Sequence, residues 1–116
     1  MNKNTRAYIA YVANALVNGR TGTAVYDYSK SKHITIQGSV KESRVQVYDY
    51  DRGCHFQGTA TKLYDYGRDA HVTLSISGNK FKGFDYGDGH HFTGSVSGRN
   101  VTFYDYGEAQ HFQYQV

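Results

Sequence analysis

The chain has 116 residues, the size of one domain, and its 12 tyrosines and 13 glycines stand against no proline and no tryptophan. Aromatic residues make up 16% of the chain, which excludes intrinsic disorder, and the single cysteine, Cys54, excludes an intrachain disulfide. The formal charge is only +3, with no dense run of lysine or arginine of the kind that nucleic-acid-binding elements carry.

The first predicted element is a helix over about residues 5–18. Apolar residues recur there at spacings of three and four, at Tyr8, Tyr11, Val12, Ala15 and Leu16. Asn4 or Thr5 is predicted to cap its start, and Asn18-Gly19 to end it. Polar residues interrupt this apolar stretch, and no run reaches membrane-spanning length. We therefore expect a soluble, cytoplasmic protein that makes no contact with a membrane.

From about residue 23 to 116 the sequence repeats one unit five times. Each unit has an aromatic residue, an aspartate, a tyrosine and, seven residues after the first aromatic, a histidine. The units begin at Tyr26, Tyr48, Tyr64, Phe84 and Tyr104. A repeat of 16–22 residues that alternates polar and apolar positions is typical of one β-hairpin per unit.

Turn chemistry predicts how these hairpins pair. Tight turns at Gly78-Asn79 and Gly98-Arg99 would place Ile76 opposite Phe81 and Val96 opposite Val101. A four-residue loop from Gly67 to Ala70 would place Tyr66 opposite His71 and Leu63 opposite Leu74.

This pairing predicts two faces. The apolar residues face a core, together with the repeated aspartate, and the tyrosines and histidines face the other way. A charge on the core face is costly, so either the aspartate lies at the rim and accepts hydrogen bonds from loop amides, or a β-bulge reverses the parity. We predict structural loop anchors at Asp27, Asp49, Asp65, Asp85 and Asp105.

The predicted fold is mainly β, in a single domain over residues 1–116. About ten short antiparallel strands, connected up and down, would close into a barrel or roll into two layers, with a hairpin solenoid as the competing architecture. The helix is expected to cover an open end or to lie on the sheet.

No catalytic site is predicted, because every candidate group occurs five times whereas an active site is normally unique. The histidines lie one per unit, in a row and not in a cage, so no metal and no other cofactor is expected. Gly87-Asp88-Gly89 lacks the Lys-Ser/Thr of a phosphate-binding loop. No motif assigns the chain to a known family.

The predicted function is a non-enzymatic interaction or structural module that uses the repeated Tyr/His face. Tyrosine is rigid and amphipathic, and it is enriched in protein interfaces. A protein partner or a second copy is favoured over a carbohydrate or a single-stranded nucleic acid. The alternative function is a ligand-binding barrel or groove for a carbohydrate, an oligonucleotide or a small apolar molecule. The predicted binding residues are Tyr28, Tyr50, Tyr66, Tyr86, Tyr106, His33, His55, His71, His91 and His111.

Overall fold

A computed structural model describes residues 1–116 as one helix followed by ten strands. The helix, α1, spans Lys3–Asn18. The strands are β1 (Ala24–Asp27), β2 (Lys32–Lys41), β3 (Arg44–Asp49), β4 (Cys54–Gly58), β5 (Lys62–Asp65), β6 (Ala70–Ser77), β7 (Lys80–Asp85), β8 (His90–Ser97), β9 (Asn100–Asp105) and β10 (Gln110–Gln115). The predicted mainly-β fold with one N-terminal helix is confirmed.

The ten strands form a closed antiparallel barrel. Each strand pairs with its neighbours in sequence, and β1 closes the barrel by pairing with β10, where Tyr26 lies opposite Gln115 and Asp27 opposite Tyr114. Of the predicted architectures, the barrel is therefore the observed one. Closure leaves no strand edge unpaired, which removes the usual liability of an exposed edge.

Helix α1 lies inside the barrel. Every residue from Asn4 to Ala15 is buried, on all sides of the helix. The expectation that it covers an open end or lies on the sheet is wrong. Eight strands make a barrel whose interior wall side chains just fill, so ten strands leave extra space in the lumen. The small residues Ala7, Ala10 and Ala13 reduce the helix diameter enough for the helix to fill that space.

Aromatic contacts join the helix and the wall into one core. Tyr8 stacks on Phe56 of β4 with ring centroids 4.6 Å apart and an interplanar angle of 11°. On another part of the wall, Phe92 stacks on Phe103 at 5.2 Å. At the far end of the lumen, the Tyr11 hydroxyl donates to the Gly22 carbonyl at 2.6 Å. The helix is thereby fixed at several points along its length.

The helix ends differ from their prediction at one side only. The N-cap of the helix is Asn2, whose side chain accepts from the Asn4 amide at 2.8 Å. The prediction that Asn4 or Thr5 caps the helix is therefore wrong. Those two side chains lie within the helix and bind wall carboxylates instead. The predicted end is confirmed: Gly19 has φ +71°, and its amide donates to the Ala15 carbonyl at 2.8 Å.

The tight turns are confirmed. Ile76 lies opposite Phe81 across the turn at Gly78-Asn79, and Val96 lies opposite Val101 across the turn at Gly98-Arg99.

The loop between β5 and β6 differs from its prediction by two residues in register. His71 lies opposite Tyr64 and not Tyr66, and Leu63 lies opposite Val72 and not Leu74. The loop begins directly after Asp65, because the Asp65 side chain and carbonyl accept hydrogen bonds from the loop amides and end the strand there. A shift of two residues preserves the alternation, so the predicted core face and Tyr/His face are unchanged.

We expect the helix in the lumen to carry much of the stability of the barrel. Replacing Tyr8 with Ala removes a fully buried ring and its stack on Phe56, and should lower the free energy of unfolding by about 3–5 kcal/mol. Leu16→Ala, at the partly exposed end of the same helix, should cost no more than about 2 kcal/mol. Urea unfolding of both variants tests this, and equal losses would contradict the placement of the helix.

Candidate functional site

The first site is a ring of five carboxylates at the rim of the lumen, which we call the inner ring. It consists of Asp27, Asp49, Asp65, Asp85 and Asp105, the last residues of β1, β3, β5, β7 and β9. All five are fully buried. In each, Oδ1 accepts from the backbone amide two residues further on, at 2.8–3.0 Å, from Ser29, Asp51, Gly67, Gly87 and Gly107. Of the two arrangements compatible with the sequence, the structure therefore has the one with the aspartates at the rim and no β-bulge.

The loops that follow the inner ring share one backbone feature. The fourth residue after each aspartate has positive φ, between +49° and +73°, at Ser31, Gly53, Asp69, Gly89 and Ala109. The repeat is thus conformational as well as chemical, although glycine fills this position in only two units.

Two arginines link three of the ring carboxylates. Arg52 donates from Nε to Asp49 at 2.7 Å and from Nη2 to Asp65 at 3.1 Å. Arg68 repeats the pattern one unit later, contacting Asp65 at 3.1 Å and Asp85 at 2.9 Å. Each guanidinium therefore joins its own aspartate to that of the next hairpin. Because a buried charge is costly unless it is paired and hydrogen-bonded, these links offset the burial of the ring.

The start of helix α1 supplies the remaining partners. Asn4 donates to Asp49 at 3.0 Å, the Thr5 hydroxyl to Asp65 at 2.6 Å, and Arg6 to Asp105 at 3.3 Å. The amino group of Met1 lies 3.1 Å from Asp105 and 3.0 Å from Asp88. Polar residues at one end of the helix thus bind the ring, while apolar residues further along bind the wall.

Burial and pairing act in opposite directions on the ionisable groups of the ring. Burial alone would raise the pKa of Asp65, but the Thr5 hydrogen bond and the Arg52 charge outweigh it and the pKa is lowered. Burial would likewise lower the pKa of Arg68, but hydrogen bonds to Asp85 and Asp65 raise it. Their partners therefore stabilise the charged forms of both the Asp65 carboxylate and the Arg68 guanidinium.

Asp27 is the exception in the inner ring. Its Oδ1 accepts from the Ser29 amide and hydroxyl at 2.9 and 2.7 Å, but its Oδ2 is buried without a hydrogen-bond partner. No basic side chain forms an ion pair with it. The residue three positions after Asp27 is Lys30, which is exposed and forms no ion pair with it, whereas Arg52 and Arg68 occupy that position in the next two units and bind their aspartates.

The second site lies on the outside of the barrel wall, and we call it the outer aromatic ring. It consists of five groups of three side chains: Tyr26, Tyr28 and His33; Tyr48, Tyr50 and His55; Tyr64, Tyr66 and His71; Phe84, Tyr86 and His91; Tyr104, Tyr106 and His111. In every group the first ring contacts both others edge to face, with centroids 4.6–4.9 Å apart.

The second tyrosine of each group is strongly exposed. Tyr28, Tyr50, Tyr66, Tyr86 and Tyr106 keep 49–63% of their accessible surface, and they are the only large apolar side chains exposed to that degree. The five histidines are also exposed. The structure therefore places all ten predicted binding residues on the solvent side of the wall, one tyrosine–histidine pair per hairpin.

Charge is divided between the two sides of the wall. The only carboxylates within the strands are those of the inner ring, and all five face the lumen. The outward positions carry instead lysine, arginine, histidine, hydroxyl and amide side chains, among them Arg44, Lys62, Lys80 and Lys82. Three shallow grooves border on aromatic groups, and each contains at least one of these basic residues.

Other kinds of site find little support in the geometry. No three His, Cys, Asp or Glu side chains converge in an arrangement that could hold a metal ion. Cys54 lies beside Arg52, but burial raises the pKa of its thiol, which disfavours the nucleophilic thiolate. No helix is long and apolar enough to span a membrane.

Comparison with protein-family models, with curated proteins and with solved structures gave no match to this chain.

The sequence identified the residues of both rings and the face on which they lie, but neither their closed arrangement nor the partners of the inner ring. Arg52 and Arg68 carry a signal, since each stands three residues after its aspartate. Asn4, Thr5 and Arg6 carry none, because nothing in the sequence indicates that the helix enters the barrel.

We expect the ring carboxylates to differ in their contribution to stability. Asp65→Asn should lower the free energy of unfolding by about 3 kcal/mol, because it removes a charge bound by two arginines. Asp27→Asn keeps the Oδ1 contacts and should change it by less than about 1 kcal/mol, since no cation is left unpaired. Urea unfolding compares the two, and equal losses would contradict the network.

We also expect acid to remove the contribution of Asp65. Because its pKa is lower in the folded state, this contribution is complete above the ordinary carboxyl pKa of about 4 and disappears as pH falls through the lowered value. The stability difference between the parent and Asp65→Asn should therefore shrink steadily below about pH 4. Urea unfolding across this range measures it, with Asp69→Asn in the same loop as control. A difference independent of pH would refute the ion pairing.

Proposed function

We propose that this protein is a non-enzymatic interaction module that binds its partner through the outer aromatic ring. The observation that supports this most directly is the fivefold repetition of one exposed aromatic group around the barrel wall. A fold needs only an inward-facing core, and exposed tyrosines at the same place in five hairpins add nothing to that core. Large exposed apolar patches commonly mark interaction surfaces.

The geometry also reduces the cost of binding. Each exposed tyrosine rests edge-on against a neighbouring aromatic ring, as Tyr86 does against Phe84 at 4.8 Å. A side chain that is held in place before the partner arrives loses less conformational entropy on binding. Five such groups offer repeated contacts, so a partner that meets several of them binds more tightly than one that meets a single group.

The alternative function was a ligand-binding barrel or groove, and of its two forms a ligand within the barrel has less support. Helix α1 fills the lumen, and its side chains from Asn4 to Ala15 are buried against the wall. A luminal ligand would have to displace Tyr8 from its stack on Phe56 and break the contacts of the inner ring. The grooves on the outside of the wall require no such rearrangement.

Catalysis also has less support than binding. The inner ring is closed to solvent and four of its five carboxylates form ion pairs, while the histidines outside have only aromatic neighbours within their groups. Where a hydroxyl meets a carboxylate, as Ser29 meets Asp27 at 2.7 Å and Thr5 meets Asp65 at 2.6 Å, the carboxylate is fully buried and also accepts from a loop amide. This is the environment of a structural anchor and not of a base that activates a nucleophile.

Replacing exposed tyrosines should remove binding without unfolding the barrel. We expect the triple variant Tyr66→Ser, Tyr86→Ser and Tyr106→Ser to melt close to the parent, since these side chains are half exposed. Its affinity for any partner should fall about tenfold or more, as aromatic contacts dominate interfaces. The assay is a panel of polysaccharides, an oligonucleotide and the protein itself, read by calorimetry and sedimentation.

The matched control replaces three exposed serines at the opposite end of the barrel and outside its grooves, Ser39, Ser43 and Ser97, by Ala. The proposal expects this control to bind like the parent. Equal binding by the control and the tyrosine variant, or no binding by the parent to any member of the panel, would overturn it.

A further inference from the structure

We infer that one part of the outer wall is a binding site for a carboxylated polysaccharide. The inference rests on the proposed function and names the chemistry of its partner. Two adjoining grooves, of about 520 and 680 Å³, share Ser75, Lys82 and Thr93 and therefore form one continuous depression across β6–β10. We call it the Lys82 furrow.

Strand pairing arranges the furrow in two parallel rows. Across neighbouring strands, Lys82 lies between Ser75 and Thr93, and the row continues to Tyr104 and His111. At the usual spacing between strands, a row of five residues is about 20 Å long, enough for several sugar units.

The second row lies one outward position further along the strands. It places Lys80 between Ser77 and Ser95, and then reaches Thr102 and Gln113. Each row therefore contains one cation flanked by hydroxyl groups, and the first row ends on an aromatic pair.

The charge of the furrow favours an anion. Neither row contains a carboxylate, and neither Lys80 nor Lys82 forms an ion pair within the protein. Inside the wall, by contrast, Arg6, Arg52 and Arg68 are taken up by the inner ring. Lys80 and Lys82 of β7 are thus available to a ligand. A second copy of the chain is disfavoured as the partner, because it would bring another basic wall against this one.

The kinds of polar group in the furrow favour a sugar polymer over a nucleic acid. Serine and threonine hydroxyls both donate and accept, as the hydroxyls of a sugar do, and they outnumber the cations in both rows. The furrow contains no arginine, whose planar fork suits phosphate, and sites for nucleic acids usually carry a dense basic patch. With one cation in a row about 20 Å long, the furrow suits a polymer of modest charge density, such as one carboxylate per sugar, better than a polymer with several sulfates per sugar.

Tyr104 and Tyr106 complete the furrow at its rim. Tyr104 lines one groove and Tyr106 the other, and their rings contact each other at 4.7 Å. An amphipathic ring there can pack on the apolar face of a sugar while its hydroxyl group hydrogen-bonds.

The test compares polygalacturonate with three other probes: neutral dextran, dextran sulfate and an oligothymidylate. Calorimetry at about 0.15 M salt should show the tightest binding for polygalacturonate. The double variant Lys80→Ala, Lys82→Ala should bind it about tenfold more weakly, because two exposed charge contacts are lost. Lys30→Ala, Lys41→Ala removes the same charge from exposed positions outside the furrow and should bind like the parent. Melting temperatures of both variants exclude unfolding as the cause.

Several outcomes would overturn the inference. They are equal binding of neutral dextran, tighter binding of dextran sulfate or the oligothymidylate, absence of polygalacturonate binding, or equal losses in the two double variants. If another probe binds and the Tyr66, Tyr86 and Tyr106 variant abolishes that binding, the furrow assignment fails while the proposed function stands.

Discussion

Filling the lumen of a ten-stranded barrel is the constraint on which the rest of this structure depends. Wall side chains fill an eight-stranded barrel, but two further strands widen the interior beyond their reach. Helix α1 supplies the missing volume, and its large side chains, Tyr8 and Tyr11, and its small ones, Ala7, Ala10 and Ala13, are all fully buried. An empty lumen would sacrifice the dispersion contacts of every inward residue. The helix and the barrel wall thus complete each other's core.

The inner ring follows from that constraint. A helix inside a barrel must begin somewhere near the rim, and its first turn is polar. Asn4, Thr5 and Arg6 would be costly to bury without partners, as would the carboxylates that end the odd-numbered strands. The helix residues bind three of the carboxylates, those of Asp49, Asp65 and Asp105, and Arg52 and Arg68 connect neighbouring carboxylates laterally. The repeated aspartate therefore ends a strand and shapes a loop in all five units, and in three of them it also binds the helix.

Because half of the acidic residues lie in the inner ring, the outside of the barrel is more basic than the net charge indicates. Of the 13 Lys and Arg residues, three pair with the inner ring, and of the ten Asp and Glu residues, five form it. Ten basic and five acidic residues are left elsewhere, the acidic ones in loops and turns. The strands thus present tyrosine, histidine, lysine and hydroxyl groups without a carboxylate between them. The outer wall is therefore basic although the net charge of the chain is modest, and composition alone does not indicate this.

The sequence by itself determined the repeat, the alternation, the tight turns and the identity of both faces, because each depends on residues close together in the chain. Ile76 opposite Phe81 follows from two turn residues, and the outward direction of Tyr66 and His71 follows from parity. Tertiary structure alone decided what lies in the lumen. The apolar stripe of α1 is equally compatible with a place on the sheet, and only closure of β1 on β10 creates an interior that needs a helix. The partners of Asp49 and Asp65 were unpredictable for the same reason, since Asn4 and Thr5 meet them only after the barrel has closed around the helix.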